Sequence, residues 1–200
     1  MNRNRKRSIW HWAATFVAIV LVIWLPDHTL LGFVEEEHHF PRNIFEAARS
    51  GSTWQISRYL AKGADVNDRQ LGYTPLMQAA TRGKLPAAEY LIAKGADVNA
   101  KYYDETALRS ALRRKNLRMV ELLLDHGAKV NEKGEDGFTP LLLVLAPSWM
   151  GRNADLVEVL VEHGADVNER DKYKSSPLAY AEKYNWEDIT AYLRAHGAKP

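Results

Sequence analysis

Five residues, Gly-Ala-Asp-Val-Asn, recur along this 200-residue chain, and the recurrence limits what it can fold into more than any other feature. The string stands at residues 63–67, 95–99 and 164–168, with Gly-Ala-Lys-Val-Asn at 127–131 and Gly-Ala-Lys-Pro at 197–200. Successive starts differ by 32, 32, 37 and 33 residues. A second string keeps step with the first. Thr74-Pro75-Leu76, Thr106-Ala107-Leu108 and Ser176-Pro177-Leu178 each precede the next glycine by 21 residues, and Thr139-Pro140-Leu141 precedes Gly164 by 25. The fourth unit therefore carries a four-residue insertion, around residues 146–153. Arg42-Asn43-Ile44 occupies the same register in the first unit, so five copies fill residues 41–200: 41–71, 72–103, 104–136, 137–173 and 174–200. A period of this length means stacked supersecondary units, each too small to bury a hydrophobic face alone.

The residues within one period predict two short helices. Thr74 and Thr139 suit the helix N-cap, and Pro75 and Pro140 the first helical position, where a missing N–H costs nothing. Ala79 and Ala80 leave room for a neighbouring helix. Gly83, with Gly51 in copy one, suits a left-handed turn between the two helices. Pro86 falls in the first turn of the second helix. Leu117 to Leu124 places apolar side chains three and four apart, as a buried stripe requires. Copy three carries Lys115 where a turn glycine is expected, which predicts a strained turn or one shifted to Asn116; copy five carries Asn185 there. Thr190 and Arg194 replace aliphatic residues in copy five, and Gln55 and Ser57 do so in copy one, as end units facing water would.

The paired Thr-Pro-Leu and Gly-Ala-Asp-Val-Asn strings resemble the ankyrin repeat, over about four-fifths of the chain. The resemblance implies an all-α repeat solenoid of helix-turn-helix-finger units. It also implies protein binding through the finger tips and the concave face of the first helices. Carried onto this sequence, the finger positions are Arg69, Tyr73, Lys101, Tyr102, Tyr103, Phe138, Lys172 and Tyr173. The ends of the first helices add Arg49, Arg82, Arg113, Arg114, Lys183 and Tyr184, and the insertion adds Trp149 beside Met150. Aromatic residues and arginine are the types enriched at binding hot spots.

Ahead of the repeats, residues 1–8 form a basic tail with Arg3, Arg5, Lys6 and Arg7. Residues 9–25 read IWHWAATFVAIVLVIWL, flanked by Trp10, Trp12 and Trp24 and closed by Pro26. At about 1.5 Å per residue these positions span roughly the hydrocarbon core of a bilayer, so one transmembrane helix is expected before the solenoid. The positive-inside rule puts the N-terminus in the cytoplasm and the repeats on the far side, periplasmic in a bacterial cell. A cleaved signal peptide shares the basic and apolar regions, but no small-residue cleavage site follows, and the bulky Trp24-Leu25-Pro26 favours a signal-anchor. Residues 26–40 read as a solvated acidic linker. Its run Glu35-Glu36-Glu37-His38-His39 has metal-ligand chemistry without a fixed geometry.

No nucleotide-binding glycine loop, zinc-protease helix or hydrolase elbow is present, and with no cysteine there is no thiol nucleophile. His126, His163 and His196 all precede a helix-ending glycine, where a basic group complements the helix dipole. The aspartates and asparagines of the repeated string suit turns. Residues 40–200 carry 23 basic and 21 acidic side chains, too balanced to point to nucleic acid. A patch of Arg109, Arg113, Arg114, Lys115 and Arg118 reads as a solvated face. The expectation is thus a membrane-anchored interaction module that is not an enzyme and needs no cofactor, metal, nucleic acid or small-molecule substrate. Its narrower alternative is an immunity or inhibitor protein that occludes a toxin or enzyme.

Overall fold

The computed structural model describes residues 43–146 and 152–199. The expected tail, membrane span and linker, the Glu35–His39 run, and Trp149 with Met150 lie outside the described residues. Among the described residues, no helix is long and apolar enough to cross a membrane.

The described residues form helices in pairs: α1 Ile44–Ser50 with α2 Thr53–Ala61, α3 Pro75–Thr81 with α4 Leu85–Ala93, α5 Ala107–Arg113 with α6 Leu117–Asp125, α7 Pro140–Leu145 with α8 Ala154–Glu162, and α9 Pro177–Lys183 with α10 Glu187–Ala195. Each first helix packs on the first helix of the next pair, and each second helix on the next second helix. No strand occurs among the described residues. The fingers carry only isolated bridges, Gln70 to Tyr73 and Tyr102 to Glu105.

Local chemistry sets each helix start. Thr74 Oγ1 accepts the Met77 N–H at 3.3 Å, Thr106 Oγ1 the Arg109 N–H at 3.1 Å, and Ser176 Oγ the Ala179 N–H at 3.2 Å. In the first pair Asn43, one residue past the register of those caps, accepts the Glu46 N–H at 2.9 Å. Such caps satisfy donors that a helix start otherwise leaves open. The turns between helices pass through left-handed backbone at Gly51, Gly83, Lys115 and Asn185. Copy three therefore keeps its turn at Lys115, with φ at 54°. Asn116 instead caps α6, accepting the Met119 N–H at 3.2 Å.

The core runs continuously through the stack. Leu76, Leu108, Leu141 and Leu178 are all buried, beside the alanines Ala47, Ala48, Ala79, Ala80 and Ala111 that let first helices approach. Helix α7 differs from the other first helices, because every residue from Pro140 to Leu145 is buried. Its Leu143 occupies the position that Glu46, Gln78, Ser110 and Tyr180 hold elsewhere.

The repeated string ties unit to unit. The Asn67 amide donates to the Gly95 carbonyl at 3.2 Å and accepts the Asp97 N–H at 2.7 Å. Asn99 repeats this with Gly127 and Lys129, Asn131 with Gly164 and Asp166, and Asn168 with Gly197 and Lys199. The aspartates close the turns themselves: Asp65, Asp97 and Asp166 accept the N–H two residues on.

Candidate functional site

The fingers and first helices bring many of the sequence-selected side chains to one side of the stack. Tyr73, Gln78, Thr81, Glu105, Ser110, Arg113 and Arg114 line a cleft of about 500 Å³ between the second and third units. Its floor is polar and internally bonded. Thr81 Oγ1 lies 3.2 Å from Ser110 Oγ, which donates to Glu105 Oε1 at 2.5 Å. Glu105 also pairs with Arg113. Arg113 is therefore half-buried in an ion pair, whereas its neighbour Arg114 is exposed. Arg49 and Arg82 are exposed at the ends of the two preceding first helices.

Along the fingers the selected residues fall into two kinds. Tyr73, Tyr102 and Phe138 are half-buried and hold fingers together. The Tyr73 and Tyr102 rings lie 5.0 Å apart, Tyr102 meets Tyr103 at 4.6 Å, and Phe138 faces Tyr180 at 6.4 Å. A Cβ on Gly72 would come within 2.0 Å of the Tyr102 ring, so that glycine is required by the close approach as well as by its φ of 86°. Arg69 braces its finger, donating to the Gly72 carbonyl at 3.1 Å and the Lys101 carbonyl at 2.9 Å. Lys101 in turn pairs with Glu132 at 3.0 Å. Tyr103 and Tyr173, at 69% and 72% exposed, project into solvent, with Lys172 above the Tyr173 ring. Tyr184 is half-buried against Trp186, with Lys183 over its ring.

Leu71, 86% exposed at a φ of 51°, was not among the sequence-selected residues. It sits three residues before Thr74, as Tyr103 does before Thr106 and Tyr173 before Ser176, so its register was the available signal. Trp54, 61% exposed beneath Arg58, gave no such signal. Tyr180 was also missed. Burial, and then its bond to Asp171 Oδ2 at 2.7 Å, push its hydroxyl up to about 12, so it stays a donor.

One expectation is corrected. Arg109 does not belong to a solvated basic face. It is 2% exposed and bonds Asp104 at 3.2 Å, Asp136 at 2.8 Å and the Phe138 carbonyl at 3.0 Å, linking the third and fourth fingers. Burial of a guanidinium requires such partners. Gly134 makes the room, since a Cβ there would lie 2.7 Å from the Arg109 Cζ.

The histidines act on their own helix ends. Nδ1 of His126, His163 and His196 lies 2.8, 2.7 and 2.8 Å from the carbonyl four residues back. His163 Nε2 also reaches Asp125 of the preceding unit at 3.2 Å. The Val159 carbonyl first, and Asp125 next, raise the His163 pKa. On the outer rim of the fingers, Lys133 donates to Glu169 at 2.6 Å and lowers that carboxyl's pKa. Among the described residues, no group of three or more His, Cys, Asp or Glu side chains is placed to hold a metal ion.

Comparison with known families matches residues 44–134 to ankyrin repeats in three copies and residues 136–172 to a further ankyrin repeat. No curated protein matches the chain.

Proposed function

Because the chain belongs to the ankyrin-repeat family, whose repeats imply a protein–protein interaction module, we propose that it holds a protein partner against its fingers and first helices while a membrane anchor tethers it. Ankyrin-repeat proteins are generally not enzymes, and the proposed role is binding without chemistry. The supporting observation is the division of labour among the aromatic side chains. Tyr73, Tyr102 and Phe138 are half-buried in packing, whereas Leu71, Tyr103 and Tyr173 are exposed at one register of three fingers. Large apolar side chains held in solvent at a repeated position suit a partner that covers them.

The tether rests on residues 9–25: an uncharged apolar run with tryptophans at both ends, behind four basic residues. In this reading the repeats lie on the non-cytoplasmic side. No observation favours the inhibitor or immunity alternative over a general scaffold.

Two experiments test the reading. Affinity capture from detergent-solubilised membranes compares the wild type with Leu71→Ser, Tyr103→Ala and Tyr173→Ala. All three positions are exposed, so the fold is kept while the partner's yield falls; unchanged capture refutes the finger surface. A reporter fused after Pro200 and active only outside the cytoplasm checks topology, and a silent reporter refutes the orientation.

A further inference from the structure

The chemistry of the partner can be read from charge, given the interaction surface proposed above, on which this inference rests. Residues 43–125 carry 13 Lys and Arg against 9 Asp and Glu, a net +4, whereas residues 126–199 carry 9 against 12, a net −3. The near-neutral array is thus polarised along its length.

The excess positive charge has a definite place. Arg49 lies in the last turn of α1, Arg82 follows α3, and Arg114 follows α5. Arg82 and Arg114 share a register, Arg49 stands one position earlier in its unit, and Arg114 lines the cleft. All three are exposed, and none forms an ion pair among the described residues. Several other cations of the fingers are satisfied: Lys101 by Glu132, Lys133 by Glu169, and Arg109 and Arg113 by carboxylates within hydrogen-bond reach, while Lys172 lies over the Tyr173 ring. The fourth unit has no Lys or Arg at the matching positions, which its sequence fills with Ala146 and Pro147, and a cation returns at Lys183 in the fifth.

Neighbouring packed helices lie about 8–10 Å apart, and a chain in the polyproline II conformation advances about 3.1 Å per residue and returns every third side chain to the same face. Three residues of an extended segment therefore span one unit. We infer that the partner contributes an extended acidic segment that crosses the first three units, with carboxylates at every third residue facing Arg49, Arg82 and Arg114. Gln78 and Thr81 beside the cleft offer polar groups to such a backbone, and the Tyr73 ring forms one wall. Glu105 is neutralised by Arg113, so it does not repel the incoming carboxylates.

The test uses the full-length chain in detergent against a random-peptide display library. Wild type is expected to enrich sequences with Asp or Glu at i, i+3 and i+6. Anisotropy titration of the best peptide then reads the contacts. Arg82→Glu and Arg114→Glu each weaken binding about fivefold, as expected for exposed charges, and added salt weakens the wild-type complex. Arg118→Glu, the same charge change at an exposed position on α6, leaves affinity within about twofold. Because the three substituted side chains are exposed, circular dichroism and melting should not change.

The inference is overturned by enrichment without the three-residue spacing, by no enrichment, or by an equal loss in Arg118→Glu. Tighter binding of a single-stranded oligonucleotide than of the peptide overturns it as well. So does self-association that Arg82→Glu and Arg114→Glu abolish, because the acidic half of a second copy would then be the occupant. If the charge variants keep the captured partner while Leu71→Ser and Tyr173→Ala lose it, the finger surface stands and only the acidic segment falls.

Discussion

Replacing Arg109 with Met should be among the most damaging single changes in the repeats, although the sequence presents it as one arginine in a basic patch. The side chain is 3% exposed, and its guanidinium bonds two carboxylates and the Phe138 carbonyl. Removing one side of a fully buried ion pair costs about 3–5 kcal/mol, because the other side stays buried and unpaired. Asp104 and Asp136 are 27% and 25% exposed, so water recovers part of that cost. The expected loss is about 2–4 kcal/mol, most of it from stranded acceptors. Adding Asp104→Asn and Asp136→Asn to Arg109→Met should then restore roughly half, by discharging them.

Gly134→Ala approaches the same cluster from the other side. Its methyl would lie 2.7 Å from the Arg109 Cζ and Nη2, so it should cost about 1–2 kcal/mol in the wild type and much less once Arg109 is Met. Urea unfolding of the full-length chain, followed by helical circular dichroism, measures all four variants. Because the cluster joins the third and fourth fingers, Arg109→Met should also split the transition, as loss of one interface does in a repeat array. A loss under about 1 kcal/mol, or a triple variant no more stable than the single, would refute the argument that buried charge pairing holds this interface.

Lys115→Gly should stabilise the chain by about 0.5–1 kcal/mol in the same assay, since it removes left-handed strain at a φ of 54° and gives back part of the gain in unfolded-state entropy. Asn99→Ala should cost about 1–2 kcal/mol, because it breaks the bonds to the Gly127 carbonyl and the Lys129 N–H that lock the second unit to the third. His163 gives a pH signature. Its folded pKa is raised, so its stabilising contribution is complete below about pH 6.5 and fades as pH rises through the folded value. His163→Gln should therefore lower the melting temperature more at about pH 5.5 than at about pH 8.5, and a gap that widens with pH would contradict the assignment.

What could be read from the sequence follows from what recurs. Thr74 and Thr139 announce helix starts because a cap acts within four residues, and Thr106 and Ser176 cap in the same register. Asn67, Asn99, Asn131 and Asn168 were legible as turn residues, but their bonds run to the next unit, 28 to 35 residues on. The recurrence flagged the positions and the stacking supplied the partners. Arg109 was misread because its carboxylates lie 5 and 27 residues away at positions that do not repeat. The all-apolar α7 likewise departs from the pattern of the other first helices, and only the stack shows Leu143 buried where Gln78 is half-exposed.

The same logic separates scaffold from recognition. A side chain that every unit keeps has a job that every unit shares, and the asparagine ladder, the caps and the leucine spine fill that role. Recognition must fall to positions that share a register but differ in residue, since identical units would offer a partner no address. Leu71, Tyr103 and Tyr173 are one such column, and Arg82 and Arg114, with Arg49 one position off their register, form a second that is interrupted at α7. A partner that reads both columns is oriented along the array by the second alone, because only the charge changes sign from one end to the other. Reversing Arg82 and Arg114 should therefore lower affinity while leaving the finger contacts available, whereas trimming the finger side chains removes contact area without changing the direction in which a partner lies.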